Sequence, residues 1–325
     1  MQKILNFKES IILICFISLM SSWFILPDWS LNIVCLACCN GLVVLGLLVL
    51  MRAGLISFGH GLYYCLGGYT VAIAYNFLNV KDAFILLSIA IIFGGLLSYL
   101  LGFFVRKFRG IFFAMMNLAL SMILFGIIVK SVSLGSTDGF GIKELTYFGY
   151  KSSEQIRLHI VSYFFIISVT FICIFLVSKY IKSPIGKMVL AIKDNEIRAN
   201  YLGINVSKQI HNIYLISGVL ASLGGALMVI LVGHVTPEDT AYWTKSGEFV
   251  FVAILSGIIH VIAPLIGSLF FEFIRTFALY LFPNTWQMTI GIILILGIIY
   301  LPEGIGSIFN KIKNIKNAFR SKKSL

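Results

Sequence analysis

A polar segment interrupts the chain near its middle: residues 183–208 read SPIGKMVLAIKDNEIRANYLGINVSK. Apolar runs at about 157–178 and 209–232 flank this segment. Each run is about as long as the roughly 20 apolar residues that a helix needs to cross a bilayer. The pattern therefore predicts a polar loop between two membrane-spanning helices.

The composition of the whole chain is that of a membrane protein. Of its 325 residues 59% are hydrophobic and 12% are charged, whereas a soluble domain is nearly half apolar and about a quarter charged. We predict an all-α, polytopic membrane protein in which residues 1–325 form a single transmembrane domain. About ten helices are expected, at about 10–26, 31–51, 61–78, 83–105, 111–130, 157–178, 209–232, 248–262, 264–282 and 286–301.

The distribution of charge predicts the topology. If both termini are cytoplasmic, most of the 25 lysines and arginines fall on the cytoplasmic side, in loops at 3–8, 52, 106–109, 179–208 and 311–323. Such a bias is the usual sign of cytoplasmic loops. The loop 183–204 and the basic tail 306–325 are then cytoplasmic, whereas Lys245 and Glu248 are expected on the outer side.

Segment 183–204 also has the pattern of two short helices. Its apolar residues recur at helical spacing and predict one apolar face, made of Ile185, Val189, Ile192, Ala199 and Leu202. Pro184 suits a first helical position, Asp194 is expected to cap a second helix, and Gly203 to end it. These residues are compatible both with an amphipathic helix on the lipid surface and with a docking helix for a soluble partner.

The same segment resembles the ATPase-facing loop of ABC-importer permeases of the branched-chain amino-acid type. The resemblance also includes the stretches RGIFFAMMNLAL at 109–120 and LGSTDGFGI at 134–142, and it extends from about residue 34 to 305. It implies an ATPase-docking role for eight residues of the loop, which are Pro184, Gly186, Ala191, Asn195, Glu196, Ala199, Leu202 and Gly203.

A glycine-rich stretch, GLISFGHGLYYCLGGYTVA at 54–72, is similar to another element of these permeases. Its glycines permit either close helix packing or an interrupted helix that lines a cavity. Asn117 is the strongly polar residue in the middle of its run, where the family usually has Thr, and we expect it to bond a neighbouring helix. The candidate residues of the translocation path are Ser57, Gly59, His60, Gly67, Tyr69 and Asn117.

Three further features lie in the C-terminal half. The stretch SGVLASLGGALM at 217–228 predicts a seam for tight helix crossing. Glu272 and Arg275 lie three residues apart within an apolar run, so we expect them to form an ion pair along one helix face. His260 is expected in a short cytoplasmic turn.

The sequence contains no signature of an enzyme. It has no phosphate-binding loop and no Gly-x-Ser-x-Gly elbow, its five histidines form no zinc-binding pair, and its six cysteines lie inside apolar runs. We therefore expect no catalytic residue, metal or cofactor in this chain, and no nucleic acid partner.

The resemblance implies an assembly in a bacterial or archaeal cytoplasmic membrane. Its partners would be two ATPase subunits that carry ATP and Mg²⁺, a second permease subunit, and an extracytoplasmic solute-binding protein. The expected solute is a branched-chain or other hydrophobic amino acid. Urea, short amides and sugars remain alternatives, as does a secondary transporter driven by an ion gradient.

Overall fold

The computed structural model describes residues 2–24, 26–143, 145–147, 149, 155–300 and 304. It is helical almost throughout, which confirms the all-α class. The helices are α1 (Gln2–Ser21), α2 (Asp28–Met51), α3 (His60–Leu78), α4 (Ala83–Val105), α5 (Gly110–Lys130), α6 (Gln155–Lys182), α7 (Pro184–Asp194), α8 (Glu196–Tyr201), α9 (Val206–Val232), α10 (Pro237–Ala241), α11 (Trp243–Ser256), α12 (Ala263–Leu281) and α13 (Trp286–Tyr300). Two short strands, β1 (Phe140–Gly141) and β2 (His234–Val235), pair antiparallel.

Six of the helices in the described ranges are long and apolar enough to cross a membrane. They are α2, α4, α5, the Ile160–Lys182 part of α6, α9 and α12. The other four predicted runs overlap α1, α3, α11 and α13, which are helical but do not belong to this set. A polytopic membrane protein is therefore observed, and the number of ten spans stays a prediction.

Helix α9 lies at the centre of the bundle and packs against α2, α3 and α4. Small residues allow this close approach, because a Cβ at Gly225 would overlap the backbone carbonyl of Tyr64 in α3. Reciprocally, a Cβ at Gly67 of α3 would overlap the carbonyl of Ser222 in α9. The predicted seam at 217–228 is therefore a site of tight helix crossing.

The loops at 52, 106–109 and 179–208, which the charge pattern placed in the cytoplasm, lie together at one end of the bundle, here called the basic end. Arg52 Nη1 donates a hydrogen bond to the carbonyl of Ile258, 3.1 Å away, and Arg109 contacts Glu196. The strand pair β1–β2 lies at the opposite end. This grouping agrees with the predicted order in which the chain crosses the membrane. The tail 306–325 lies outside the described residues. The cytoplasmic location of the termini stays a prediction.

Two connecting segments enter the interior of the bundle, and the second of them contains β2 and α10. Residues 52–59 lead to the N-terminus of α3, where the Gly61 N–H donates a 3.0 Å hydrogen bond to Ser246 Oγ of α11. From the other end, residues 233–242 descend until the carbonyl of Ala241 accepts a 3.0 Å hydrogen bond from Ser121, near the centre of α5. Both α3 and α11 therefore begin within the bundle. Non-helical backbone at membrane depth is tolerated only where protein or a water-filled cavity surrounds it.

Candidate functional site

The first candidate site is the helix pair α7–α8 at the basic end. Ser183 Oγ accepts a hydrogen bond of 3.2 Å from the Gly186 N–H and caps α7, with Pro184 in its first turn. The predicted cap at Asp194 is wrong, because Asp194 is the last residue of α7. Instead Asn195 caps α8: it has extended backbone angles, and its Oδ1 accepts a 2.8 Å hydrogen bond from the Arg198 N–H.

The turn after α8 requires a glycine. Leu202 is the C-cap of α8, and Gly203 follows it with a φ of +82°. This left-handed conformation is disfavoured for residues that carry a Cβ. The sequence-based prediction that Gly203 ends the second helix is confirmed.

The predicted single apolar face of this segment is wrong. Val189, Ile192 and Ala199 are buried against the body of the protein, whereas Ile185 and Leu202 face outward. Ile185 lies in the first turn of α7 and Leu202 is the C-cap of α8, so the two exposed residues stand at the ends of the helix pair.

The eight docking candidates consequently divide into two groups. Gly186 and Ala199 are buried and Ala191 is half-buried, so these three hold the helix pair against the rest of the chain. A Cβ at Gly186 would lie 2.6 Å from the carbonyl oxygen of Ile181 in α6. The candidates that are exposed to solvent are Pro184, Asn195, Leu202 and Gly203.

Glu196, the eighth candidate, joins α8 to the start of α5. Its two carboxylate oxygens accept hydrogen bonds from Nε and Nη2 of Arg109, both at 2.9 Å. Arg109 also donates to the carbonyls of Arg106 and Phe108, at 2.5 and 2.7 Å. The fork of the arginine thus fixes the position of α8 relative to the loop between α4 and α5.

An apolar patch on α8 faces outward beside this ion pair. It consists of Ile197, Tyr201 and Leu202, whose exposed fractions are 68%, 87% and 73%, and we call it the α8 patch. Ile197 and Tyr201 are four residues apart, which places them on one side of the helix. A patch of this kind at the basic end of the bundle suits contact with another protein.

The second candidate site lies at mid-height in the bundle, around the N-terminus of α3. Here the structure brings together four of the predicted path residues: Ser57, Gly59, His60 and Asn117, all of them buried. The Gly59 N–H donates a hydrogen bond to Ser57 Oγ at 3.3 Å, and Gly59 packs on the backbone of Asn117. His60 Nε2 shares a 2.6 Å hydrogen bond with Ser217 of α9.

Asn117 bonds neighbouring groups in the chain, as predicted. Its Oδ1 accepts a 2.6 Å hydrogen bond from the Tyr214 hydroxyl, which in turn accepts one of 2.9 Å from Tyr63. Its Nδ2 donates to the carbonyl of Phe113 at 2.8 Å. These tyrosines were not identified from the sequence, because nothing in their local spacing indicates that they meet across three helices.

The other two predicted path residues lie further along α3. Gly67 serves the crossing with α9, where its lack of a side chain permits contact with Ser222. Tyr69 packs its ring against Phe140 of β1, with the ring centroids 6.2 Å apart. The structure therefore does not place these two residues with the mid-height cluster.

The predicted ion pair between Glu272 and Arg275 is wrong. Glu272 Oε1 accepts a 2.6 Å hydrogen bond from Asn40 Nδ2 of α2, and Asn40 Oδ1 accepts one of 3.0 Å from the Tyr64 hydroxyl. Arg275 Nη1 instead lies 3.8 Å from Glu248 Oε2 of α11. The two side chains diverge because α12 packs on α2 with one face and on α11 with another.

Lys245 and Glu248 do not lie at the outer side of the bundle, where they were predicted. Lys245 Nζ lies 3.0 Å from Glu248 Oε2, and both residues line a small cavity together with Asn40 from the middle of α2. They lie within the bundle because residues 233–242 descend into it before α11 begins. His260 lies in the turn between α11 and α12, as predicted.

A search of the described ranges for metal sites finds no cluster of three or more His, Cys, Asp or Glu side chains that could hold a metal ion. The six cysteines are free thiols, five of them buried. The polar groups of the two candidate sites are hydroxyls, amides, one imidazole and one arginine–carboxylate pair. Such groups are suited to binding and to positioning, which is consistent with transport.

Comparison with known proteins identifies relatives over most of the chain. The family model described as "Branched-chain amino acid transport system / permease component" matches residues 30–299. The high-affinity branched-chain amino acid transport system permease protein LivM of Escherichia coli (strain K12) is 23% identical over 92% of this chain and 75% of the relative. The ribose import permease protein RbsC of Haemophilus influenzae is 24% identical over 83% of each chain. No solved structure matches the chain.

Proposed function

Because this chain belongs to the family of branched-chain amino acid transport system permeases, we propose that it forms the membrane path of an ATP-driven importer for hydrophobic amino acids. The chain is a multi-pass membrane protein of the ABC permease class. The observation that carries the proposal is the exposed α8 patch, which is held at the basic end by Arg109 and Glu196. A surface of this kind suits a soluble ATPase, and the chain contains no phosphate-binding loop of its own.

A continuous set of contacts connects this surface to the mid-height cluster. Glu196 of α8 holds Arg109 at the N-terminus of α5, and α5 carries Asn117. Asn117 is bonded to Tyr214 of α9, the central helix. In the proposed mechanism, closure of two ATPases on bound ATP moves the α8 patch, and α5 carries this movement to the helices around the path, so that access alternates between the two sides.

We expect that reversing the charge of Glu196 lowers ATP-driven uptake because it breaks the ion pair with Arg109 of the same chain. Glu196→Lys places two cations together at the start of α5, and Arg109→Glu places two carboxylates there. The double variant Arg109→Glu, Glu196→Lys restores an opposite-charge pair and is expected to recover most of the uptake.

The pair is about one-third exposed, so its loss should change the free energy of unfolding by only about 1 kcal/mol. Uptake and thermal stability measured on all four proteins form a double-mutant cycle. Additive losses of uptake, with no recovery in the double variant, would show that Glu196 instead acts through direct contact with a partner.

The proposed assembly contains, besides the two ATPases, a second permease subunit and a solute-binding protein on the opposite side of the membrane. The support is family membership together with the basic end, whose loops carry the positive charge expected on the cytoplasmic side of a bacterial or archaeal membrane. Purification of the tagged chain from its native membrane in mild detergent, followed by mass spectrometry, tests this composition. Recovery of the intact chain without any ATPase would contradict the proposal.

A sugar is the second candidate solute, because a ribose import permease is among the relatives. The purified complex can be reconstituted in vesicles, with ATP on the ATPase side and the copurified binding protein on the other. We expect accumulation of labelled leucine, isoleucine or valine and none of ribose. Accumulation of ribose alone would show that the transported solute is a sugar and not an amino acid.

Dependence of uptake on ATP distinguishes an ATP-driven importer, whichever solute it carries, from a transporter driven by an ion gradient. We expect uptake in cells to stop when ATP is depleted and to continue when an uncoupler removes the ion gradient while ATP is maintained. The opposite pattern would identify a secondary transporter.

A further inference from the structure

Four charged side chains lie near the middle of the bundle, outside the two candidate sites described above. Glu272 is the tenth of the 19 residues of α12, and it bonds Asn40 near the middle of α2. Lys245 and Glu248 line a cavity with Asn40, and Arg275 follows Glu272 by one turn of α12. All four charges therefore lie at the depth of the centre of the membrane-spanning helices.

Three of these residues form a cluster that we call the charge triad: Lys245, Glu248 and Arg275. Oε2 of Glu248 faces both cations, at 3.0 Å from Lys245 Nζ and 3.8 Å from Arg275 Nη1. The triad thus contains two positive charges and one negative charge. The nearby Glu272 is engaged with Asn40 and makes no ion pair with either cation among the described residues.

The hydrogen-bonding capacity of the triad is largely unused. The 3.8 Å separation is too long for a hydrogen bond, and the guanidinium of Arg275 donates none to any part of the chain that the structure describes. Its other contact is with the ring of Trp286, 5.6 Å from Cζ to the centroid. Glu248 uses Oε2 for both cations, and its Oε1 makes no hydrogen bond to the described residues.

The triad is also partly exposed at the surface of the chain. The exposed fractions of the side chains are 24% for Glu248 and 28% for Arg275, whereas that of Lys245 is 10%. Charged groups at this depth do not face hydrocarbon; they face the interior of an assembly or a water-filled path. Behind the triad, a cavity of about 10 Å³ reaches the buried Ser268, whose hydroxyl has no hydrogen-bond partner among the described residues.

We propose that the charge triad binds the ammonium and carboxylate groups of a zwitterionic amino acid in the translocation path. The open fork of Arg275 suits a carboxylate, which it can bind through two parallel hydrogen bonds. The free Oε1 of Glu248 accepts from the ammonium group, and Lys245 holds Glu248 in place from its buried side. The ring of Phe251, one turn further along α11, is exposed and would offer an apolar contact to an aliphatic side chain.

This inference rests on the proposed function, because it assumes that the chain transports amino acids. It adds the site that recognises the charged groups common to all amino acids. A sugar carries neither of these charges, so the triad would also discriminate between the two candidate solutes. The proposed role of the α8 patch in ATPase docking does not depend on this inference.

The test measures leucine transported per ATP hydrolysed by the complex in vesicles, with the loaded binding protein present. We expect Arg275→Gln to lower this ratio at least about tenfold, because hydrogen bonds to charged groups are the strong ones. Hydrolysis stimulated by the loaded binding protein should stay within about twofold, since the ATPase contacts are unchanged. The ratio for Arg275→Lys should lie between those of the unaltered protein and Arg275→Gln, because lysine keeps the positive charge and lacks the guanidinium fork.

Glu248→Gln provides a second variant, since it removes the charge for the ammonium group and changes little in shape. Thr276→Val is the matched control, because it alters the next residue of α12, whose hydroxyl only bonds the backbone of Glu272. We expect Glu248→Gln to lose coupling as Arg275→Gln does, and Thr276→Val to keep it.

Three results would overturn the inference. The first is normal transport per ATP in both Arg275→Gln and Glu248→Gln. The second is loss of the folded complex in both variants, which would assign the triad a structural role. The third is dissociation of the permease pair, which would place a partner subunit against the triad. If the unaltered complex transports no amino acid, the proposed function itself fails, and this result is distinguishable from the other three.

Discussion

Replacement of Leu202 by aspartate is expected to abolish ATP-driven uptake while the protein still inserts and folds. Leu202 is exposed at the end of α8 and contributes no core contact, so the folded chain should tolerate a carboxylate there. In a contact with an ATPase the same carboxylate would be buried without a partner, at a cost of about 2 kcal/mol or more. A cost of this size lowers the affinity for the ATPase by more than a factor of ten.

The measurement is copurification of the ATPase with the tagged variant, together with uptake in intact cells. Ser207→Asp is the matched control, because it adds the same charge at the same end of the molecule, in the first turn of α9, where a negative charge is favourable. We expect the control to retain ATPase and uptake. If Leu202→Asp retains both, the α8 patch does not dock the ATPase.

Substitution of alanine for Gly225 or Gly67 is expected to destabilise the fold itself. The added Cβ of Gly225→Ala would overlap the carbonyl of Tyr64, and that of Gly67→Ala the carbonyl of Ser222. Backbone atoms cannot swing aside as a side chain can, so α3 and α9 must separate. We expect each variant to lose about 3 kcal/mol, at the upper end of typical costs of overpacking.

This loss is measured as a lower thermal unfolding midpoint of the detergent-purified protein. The midpoint is read from size-exclusion chromatography of samples heated to a series of temperatures. Gly126→Ala in α5 and Gly291→Ala in α13 are matched controls, since in the described structure a Cβ at either position meets no atom within 4 Å. These controls should be neutral or slightly stabilising, because alanine is the better helix former. An unchanged midpoint in Gly225→Ala would contradict the close crossing of α3 and α9.

The sequence was sufficient to predict the all-α class and the positions of most helices. Long apolar runs, the charge bias of the loops and the motif at 184–203 are all local patterns. The apolar runs coincide with helices of the structure, whereas the Asp194 cap and the single apolar face predicted for 183–204 were wrong. The helix start at Pro184 and the stop at Gly203 follow from backbone preferences of single residues. The family membership was equally visible, because its motifs recur from residue 34 to 305.

Several residues that the sequence misplaced depend on neighbours that are distant along the chain, whereas the wrong cap at Asp194 is a local shift of one residue to Asn195. Glu272 lies beside Arg275 in sequence but bonds Asn40, 232 positions away. The docking role of Glu196 stays a prediction, and its pairing with Arg109, 87 positions away, was not foreseen from the sequence. Lys245 and Glu248 looked like residues of an outer loop because the descent of residues 233–242 leaves no periodic signal.

Hydrophobicity, charge bias and capping act over a few residues, so the sequence by itself indicated where the long helices lie and where the polar helix pair lies. A side chain's partner depends on how whole helices cross, and these crossings are decided by close contacts such as Gly225 on Tyr64 and Gly67 on Ser222. Only the tertiary structure therefore decided that Arg109 holds α8 and that Lys245, Glu248 and Arg275 share one site at the centre of the bundle.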